Sequence, residues 1–347
     1  MRIKKSIVCS KIDNFSINET IVKTYTPQAG DVGLFEILEI GKHITIQSDS
    51  KRSVFLVEGD LILAAFANRY ATEQFEGYVP DKPTEIVDIL AGGGAIGLVK
   101  TKNAALEHIE PTKIKLVGYA VDGTGTVLNT INYHMKRIPF TGHIPNHAKV
   151  ILSVGSTMDS GKTTSAAYLA RGLKTTGKKV AYIKLTGTCH TKDKDMVYDC
   201  GADVTLDFSD AGFPSTYMCD KQELLDLYQT LLFQLEEHQP DYIVMEIADG
   251  IVQRETLFLL QDKHFMRTIY NLIFSSGDSL SAFYGIQMLG DLGITPAIIS
   301  GKLTMSPLLI NEVKTKTKIP VLDIDELMCG ENMKYIMTQG LITNHAH

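Results

Sequence analysis

The chain has 347 residues, 44% of them hydrophobic and 21% charged, which suits a globular protein long enough for two domains and excludes a disordered or fibrous one. A net charge of −6 gives no electrostatic case for a nucleic-acid or membrane surface, and no apolar run nears the length of a membrane span. Five cysteines at irregular spacing form neither a disulfide framework nor a familiar zinc pattern; with no secretory leader read at the N-terminus, the expected setting is a reducing cytoplasm.

From Met1 to about Asn146 the sequence predicts strands and turns. Residues 32–40 and 43–47 alternate or are β-branched, 54–57 is apolar, and 115–121 runs into the turn signal Asp122-Gly123. One helical stretch is expected over 61–69. Gly92-Gly93-Gly94-Ala95-Ile96-Gly97 fits the spacing of a dinucleotide fingerprint, but no amphipathic helix follows, so a tight turn inside a barrel is expected instead. Closely spaced strands with polar turns predict a β-rich domain over 1–146, barrel or sandwich-like. Pro139, Gly142, Pro145 and Asn146 mark a linker over 139–149.

Over 147–347 the grammar changes. Strands are predicted at 150–154, 180–184, 242–246, 269–274, 297–300 and 320–323, with helices between them, notably 222–237 and 280–292. Leu224, Leu227, Leu231 and Leu235 fall on one face of the first of these. Such alternation predicts an α/β domain with a mostly parallel sheet and helices on both sides, and ligands at the carboxyl ends of its strands. His345-Ala346-His347 reads as a frayed tail.

Residues 155–164, Gly-Ser-Thr-Met-Asp-Ser-Gly-Lys-Thr-Thr, sit between the first of these strands and a stretch with Ala166, Leu169, Ala170 and Leu173 at helical spacing. Strand, glycine-bearing loop and helix form the context of a P-loop NTPase. Loop amides and the helix dipole favour an anion, and Gly161 lets the backbone approach it. The predicted nucleotide-binding residues are Ser156, Thr157, Met158, Asp159, Ser160, Gly161, Lys162, Thr163 and Thr164. Lys162 is placed to reach the β- and γ-phosphates, and Thr163 to hold Mg²⁺.

Lys184 ends the second predicted strand of this half, where its charge can steady a transferring phosphoryl group. The polar run 189–195 reads as a mobile loop whose Asp195 is a candidate Mg²⁺ ligand. The strand 242–246 delivers Glu246, the favoured metal ligand, with Asp249 as a second candidate. Gln253, Arg254 and Glu255 are candidates to face substrate.

The loop resembles that of the dethiobiotin synthetase group of SIMIBI-class P-loop NTPases, which also tends to place five residues between the first glycine and Gly-Lys-Thr. Tyr182-Ile183-Lys184-Leu185-Thr186-Gly187 is similar to that group's aromatic, Lys-Pro and Thr-Gly element, and residues 246–250 to its Glu-Gly-x-Gly-Gly element. The resemblance implies ATP and Mg²⁺ as cofactors, a phosphate role for Lys162, a substrate or phosphoryl role for Lys184, and Mg²⁺ ligation by Thr163, Asp195 and Glu246. The chain departs from that group at Leu185, in place of proline, and at Ile247-Ala248-Asp249, in place of glycines. The β-rich half is also foreign to that group. Polynucleotide 5′-hydroxyl kinases share the layout of a β-rich domain before a P-loop and a Thr-Asp-x-Gly-Lys run near Met158-Asp159-Ser160-Gly161-Lys162.

The expected function is therefore Mg²⁺-ATP-dependent phosphoryl transfer to a small-molecule acceptor, as a kinase or the first step of a ligation. A polynucleotide 5′-hydroxyl kinase and a nucleotide-dependent switch or assembly NTPase are the alternatives. An absent Asn-Lys-x-Asp run points to ATP over GTP. Related P-loop proteins often dimerise across the nucleotide face, so a homodimer or higher homo-oligomer is expected.

Overall fold

Ten strands form in the N-terminal half among the residues that the computed structural model describes, which are 2–133 and 136–338. They are β1 (Ile3–Lys5), β2 (Ser16–Asn18), β3 (Val32–Glu39), β4 (Thr45–Gln47), β5 (Ser53–Phe55), β6 (Leu61–Phe66), β7 (Phe75–Tyr78), β8 (Ile86–Ala91), β9 (Ala95–Lys102) and β10 (Lys113–Val121). The tail His345-Ala346-His347 lies outside the described residues.

Pairing closes a ring. β6 pairs with β3, β3 with β10, β10 with β8, β8 with β9, and β9 returns to β6 through Ala65↔Ala95 and Phe66↔Ile96. The N-terminal fold is thus the barrel of the two expected forms. Side-chain alternation fills it. Phe35 and Ile37 of β3 meet Ile62, Ala64 and Phe66 of β6, together with Ile89, Ile96, Ile114 and Leu116. Phe35 and Phe66 pack edge to face at 5.5 Å.

The helix expected over 61–69 does not form, because Leu61–Phe66 is β6. Its leucines and alanines carry helix propensity, but the segment pairs with β1, β3 and β9 and is buried on both faces. A central strand buried on both sides reads as a continuous apolar run without alternation. Gly92-Gly93-Gly94 makes the turn between β8 and β9, with Gly94 at φ +100°.

The second half carries β11 (Lys149–Gly155), β12 (Val180–Lys184), β13 (Val204–Asp207), β14 (Tyr242–Glu246), β15 (Ile269–Ser275) and β16 (Ile298–Ser300). They form one parallel sheet in the order β13-β12-β14-β11-β15-β16. The class is α/β: a parallel-sheet domain preceded by a β-rich one. The helix Lys162–Thr175 buries Leu169, Ala170 and Leu173 against Ile151, Tyr182, Val244 and Ile273 of the sheet. The helix Lys221–Gln234 opens on a capping box between Asp220 and Glu223, and its predicted stripe of Leu224, Leu227 and Leu231 is buried.

The edge strand β13 was not expected, since Asp203, Thr205 and Asp207 mask its apolar residues. Residues 320–323 do not form the expected strand; Val321 makes one parallel bridge to Ile299. Nor do 139–149 hang free as a linker. Ile138 N–H donates to Thr230 Oγ1 at 3.0 Å, Phe140 N–H to Asp226 Oδ1 at 2.9 Å, and Gly142 N–H to Gln229 Oε1 at 3.0 Å. The acceptors come from a helix far ahead in sequence, so local composition does not reveal them.

The chain divides into two compact units that are not contiguous. The first comprises Met1–Lys136, Gly187–Thr191 and Phe208–Met218; the second comprises Arg137–Thr186, Lys192–Asp207 and Cys219–His347. Among the described residues no helix is long and apolar enough to cross a membrane.

Candidate functional site

The predicted P-loop leaves β11, the strand between β14 and β15. Ser156 N–H donates to Ser275 O at 2.9 Å, which fixes the loop's departure. Gly161, at φ +96°, stands at the N-cap of Lys162–Thr175, and no side chain caps that helix. The helix start therefore turns its dipole toward the loop, an arrangement that suits an anion. Ser156 Oγ and Ser160 Oγ are buried without a hydrogen-bond partner. Orphaned hydroxyls inside such a loop suit phosphate oxygens.

Two neighbouring loops brace this one by close backbone approach. After β14, Ile251 N–H donates to Gly155 O at 2.9 Å, and a Cβ at Gly250 would overlap the Ser156 carbonyl. After β16, Lys302 N–H donates to Ser160 O at 3.0 Å. Gly301, at φ +98°, lies where a Cβ would strike the Ser160 carbonyl and the Ser276 backbone. Gly301→Ala is therefore expected to destabilise the fold by about 1–3 kcal/mol, a fall of several degrees in melting temperature. A thermal melt checks this, and an unchanged transition would show that the brace yields freely.

The charged groups meet at the strand ends. Lys184 of β12 and Glu246 of β14 are register partners, as are Ser153 of β11 and Glu246. Glu246 is 1% exposed. Its Oε1 accepts from Thr163 Oγ1 at 3.0 Å, and its Oε2 from Tyr182 OH at 2.8 Å. Lys184 Nζ lies 3.6 Å from Glu246 Oε1 and also pairs with Asp193. Burial alone would lower the Lys184 pKa, but Glu246 and Asp193 outweigh it and hold the ammonium firmly charged. Lys162 is the opposite case. Burial pulls its pKa down, against the pull of Glu246 and Asp249, and its Nζ rests on Thr157 O at 2.7 Å.

Four residues named from the sequence, Lys162, Thr163, Lys184 and Glu246, thus come together. Asp195 lies in the first turn of the helix Lys192–Asp199, so the run 189–195 is not the mobile loop expected: it ends in a helix, and Cys189 and Thr191 are buried. Asp193 is the residue that sequence reading missed, and the cue was present. Lys192-Asp193-Lys194-Asp195 puts two acids into the first helical turn, where they favour the dipole. Tyr182 was read only as an aromatic, though a buried tyrosine needs a partner for its hydroxyl.

Asp249 takes a left-handed conformation at φ +63° in the loop that braces the P-loop. Gln253 caps the helix Arg254–Gln261, its side chain accepting from Glu255 and Thr256 N–H. Arg254 pairs with the buried Glu255 at 2.6 Å. Among the described residues, no group of three or more His, Cys, Asp or Glu side chains gathers as a metal site. Thr163 and Glu246 are the adjacent oxygen donors, a sparse set that suits Mg²⁺, which keeps several waters and phosphate oxygens.

No family model matches the chain, and no curated protein matches it. Solved structures give distant likenesses. A ParA family ATPase from Chlorobium tepidum TLS is 15% identical over 56% of this chain and 93% of its own, with a TM-score of 0.33. The hydrogenase maturation factor HypB from Archaeoglobus fulgidus is 10% identical over 52% and 83%, at 0.34. The kinase domain of Escherichia coli tyrosine kinase ETK is 16% identical over 45% and 69%, also at 0.34. At such scores the functional reading rests on the geometry of the site.

Proposed function

We propose that this chain uses Mg²⁺ and ATP to transfer a phosphoryl group to a small-molecule acceptor. The observation that carries the reading is the convergence of Thr163, Tyr182 and Lys184 on the buried Glu246, beside the P-loop. The hydroxyl of Thr163 points its proton at Glu246, which leaves its lone pairs for a cation. Thr163 and Glu246 would hold Mg²⁺, which when bound neutralises phosphate charge. Ser156 and Ser160 would offer their hydroxyls to phosphate oxygens. Lys162 would exchange the Thr157 carbonyl for a phosphate, a better partner for a desolvated ammonium. Lys184, held between Asp193 and Glu246, is placed to turn toward charge developing on the transferring group. The acidic chain shows no strip of basic and aromatic residues, which favours a small acceptor over a polynucleotide.

Incubation with γ-labelled ATP, Mg²⁺ and a metabolite pool tests the reading directly. A labelled metabolite supports it. Label on 5′-hydroxyl oligonucleotides in a parallel reaction would move the assignment to a polynucleotide kinase. Label released only as phosphate, whatever acceptor is added, would move it to a nucleotide-dependent switch. Lys184→Ala sharpens the choice. Turnover should fall about 10²-fold with little change in ATP affinity, because the loop and Lys162 carry ground-state binding. Intact acceptor phosphorylation in that variant removes Lys184 from the mechanism.

A further inference from the structure

Lys184 stands between two acids of the parallel sheet. Register pairs it with Glu246 of β14 on one side and with Asp207 of β13 on the other. Register partners in neighbouring parallel strands project to the same face of the sheet. β14 adjoins β11, from which residues 155–164 depart, whereas β13 is the edge of the sheet. An ammonium at Lys184 can therefore be drawn toward the candidate nucleotide site or away from it. These residues belong to the second unit, as do Asp193 and Lys194.

The ion pairs of Lys184 are with Glu246, at 3.6 Å, and with Asp193. The acid on the edge side is engaged by a second cation. Asp207 is 2% exposed, and its Oδ2 lies 3.1 Å from Lys194 Nζ. Lys194 is itself 8% exposed, a depth that lysine seldom reaches unless it is paired. It follows Asp193 directly in the first turn of the helix Lys192–Asp199. One helix start thus gives Lys184 an acid and Asp207 a cation. Val197, one turn on, is buried in the same core cluster as Tyr182 of β12.

From the edge inward the charges alternate in sign: Lys194, Asp207, Lys184, Glu246. Burial disfavours the charged form of Lys184, and Glu246, Asp193 and Asp207 all favour it, so the field of Asp207 reaches that ammonium. Little water is present to screen an acid so deeply buried. Without Lys194, Asp207 would compete with Glu246 for Lys184.

We infer that Lys194 is a positioning residue: by engaging Asp207 it keeps that acid from drawing Lys184 to the edge of the sheet, and so leaves the Lys184 ammonium on the Glu246 side. The catalytic part of this inference rests on the phosphoryl-transfer reading; the positional part does not. A displacement of about 1 Å at a group that serves the transferring phosphoryl is enough to cost about 10²-fold in rate.

The test compares three variants. Lys194→Met removes the cation and keeps most of the side chain's length. Lys194→Met with Asp207→Asn removes the acid's charge as well. Lys194→Arg keeps the cation. The first readout is the crystal structure of each variant without nucleotide. In the methionine variant Lys184 Nζ should move to within about 4 Å of the Asp207 carboxylate, and in the other two it should stay beside Glu246. The second readout is Mg²⁺-ATP turnover against ATP affinity. The methionine variant should lose about tenfold or more in kcat with affinity unchanged, and the double and arginine variants should recover it. In a Lys184→Ala background, Lys194→Met should lower kcat no further, because the two residues act as one unit. A merely structural ion pair would lower the melting temperature and act equally in both backgrounds. A Lys184 that stays beside Glu246 in the methionine variant overturns the inference, as does full kcat in a variant whose Lys184 has moved, or a loss that adds to that of Lys184→Ala. Should wild-type protein transfer no phosphoryl group from ATP, the phosphoryl-transfer reading fails, and the crystal structures still decide whether Lys194 sets the place of Lys184. If the methionine variant does not fold, Lys194→Gln, which loses the charge and keeps a donor for Asp207, carries the same readouts.

Discussion

Replacing Lys162 with alanine should cut nucleotide turnover by about 10²-fold or more and leave thermal stability almost unchanged. The two halves of this expectation have one cause. Lys162 is buried beside the loop, with its pKa pulled down by desolvation and its ammonium on a single loop carbonyl, Thr157 O. Such a charge contributes little to folding, because the penalty of removing it from water offsets what it gains from its partners. It is held ready for a ligand with more negative charge than a carbonyl. Initial rates of label transfer or phosphate release, set beside a melting curve, check both halves. Turnover within about threefold of wild type would remove the P-loop from the mechanism, and a large loss of stability would show that Lys162 is a structural ion.

The substitution Glu246→Gln is expected to act on stability and metal dependence together. Glu246 accepts from two hydroxyls and lies beside the Lys184 ammonium. Glutamine has the same shape, but one of its two polar ends is a donor. Thr163 and Tyr182 cannot both donate to its oxygen at their present positions, so one of the two hydroxyls, the buried one of Tyr182 or the half-buried one of Thr163, loses its acceptor, and Lys184 retains only Asp193 of the two acids it pairs with. A loss of about 3 kcal/mol in unfolding free energy follows from breaking part of a buried charged network. Urea denaturation measures it. ATP affinity with and without Mg²⁺ measures the other effect, which should be a loss of the metal's contribution and little change in metal-free binding. A retained Mg²⁺ dependence would pass the ligand role to Asp249 or Asp195.

Much of the second half could be read from its sequence because its grammar is local. The run 150–154, the loop 155–164 and the helical spacing from Ala166 to Leu173 are consecutive, and each predicts the next. The end of β14 could be read for the same reason, since an apolar strand that stops at Glu246 can only deliver it at a carboxyl end. What could not be read depends on partners distant in sequence. Leu61–Phe66 looked helical until β3 and β9 supplied its two sides. Barrel closure between Ala65 and Ala95 leaves no local trace. Asp193 was overlooked because a polar run between strands reads as solvated, and Thr191 because a threonine in such a run looks unremarked until Gln47 is opposite it. The triglycine turn was correctly separated from a nucleotide fingerprint, but its use as an approach point for Cys189 is a property of the folded backbone alone.

The discontinuous first unit bears on the order in which the protein is made. A chain growing from its N-terminus finishes β10 at Val121, yet the unit to which β10 belongs still lacks Gly187–Thr191 and Phe208–Met218. Lys11 must wait for the Asp210 carbonyl, which its ammonium meets at 2.7 Å, and Tyr78 for the Tyr217 hydroxyl at 3.0 Å. Gln47 waits for Thr191. During synthesis the barrel therefore exists first as an unfinished body, with the Gln47 amide, buried in the finished fold, open to water, and the ribosome must deliver residues 155–164, β12 and β13 before it can be completed. Late-arriving loops of this kind make the assembly of one half conditional on the translation of the other.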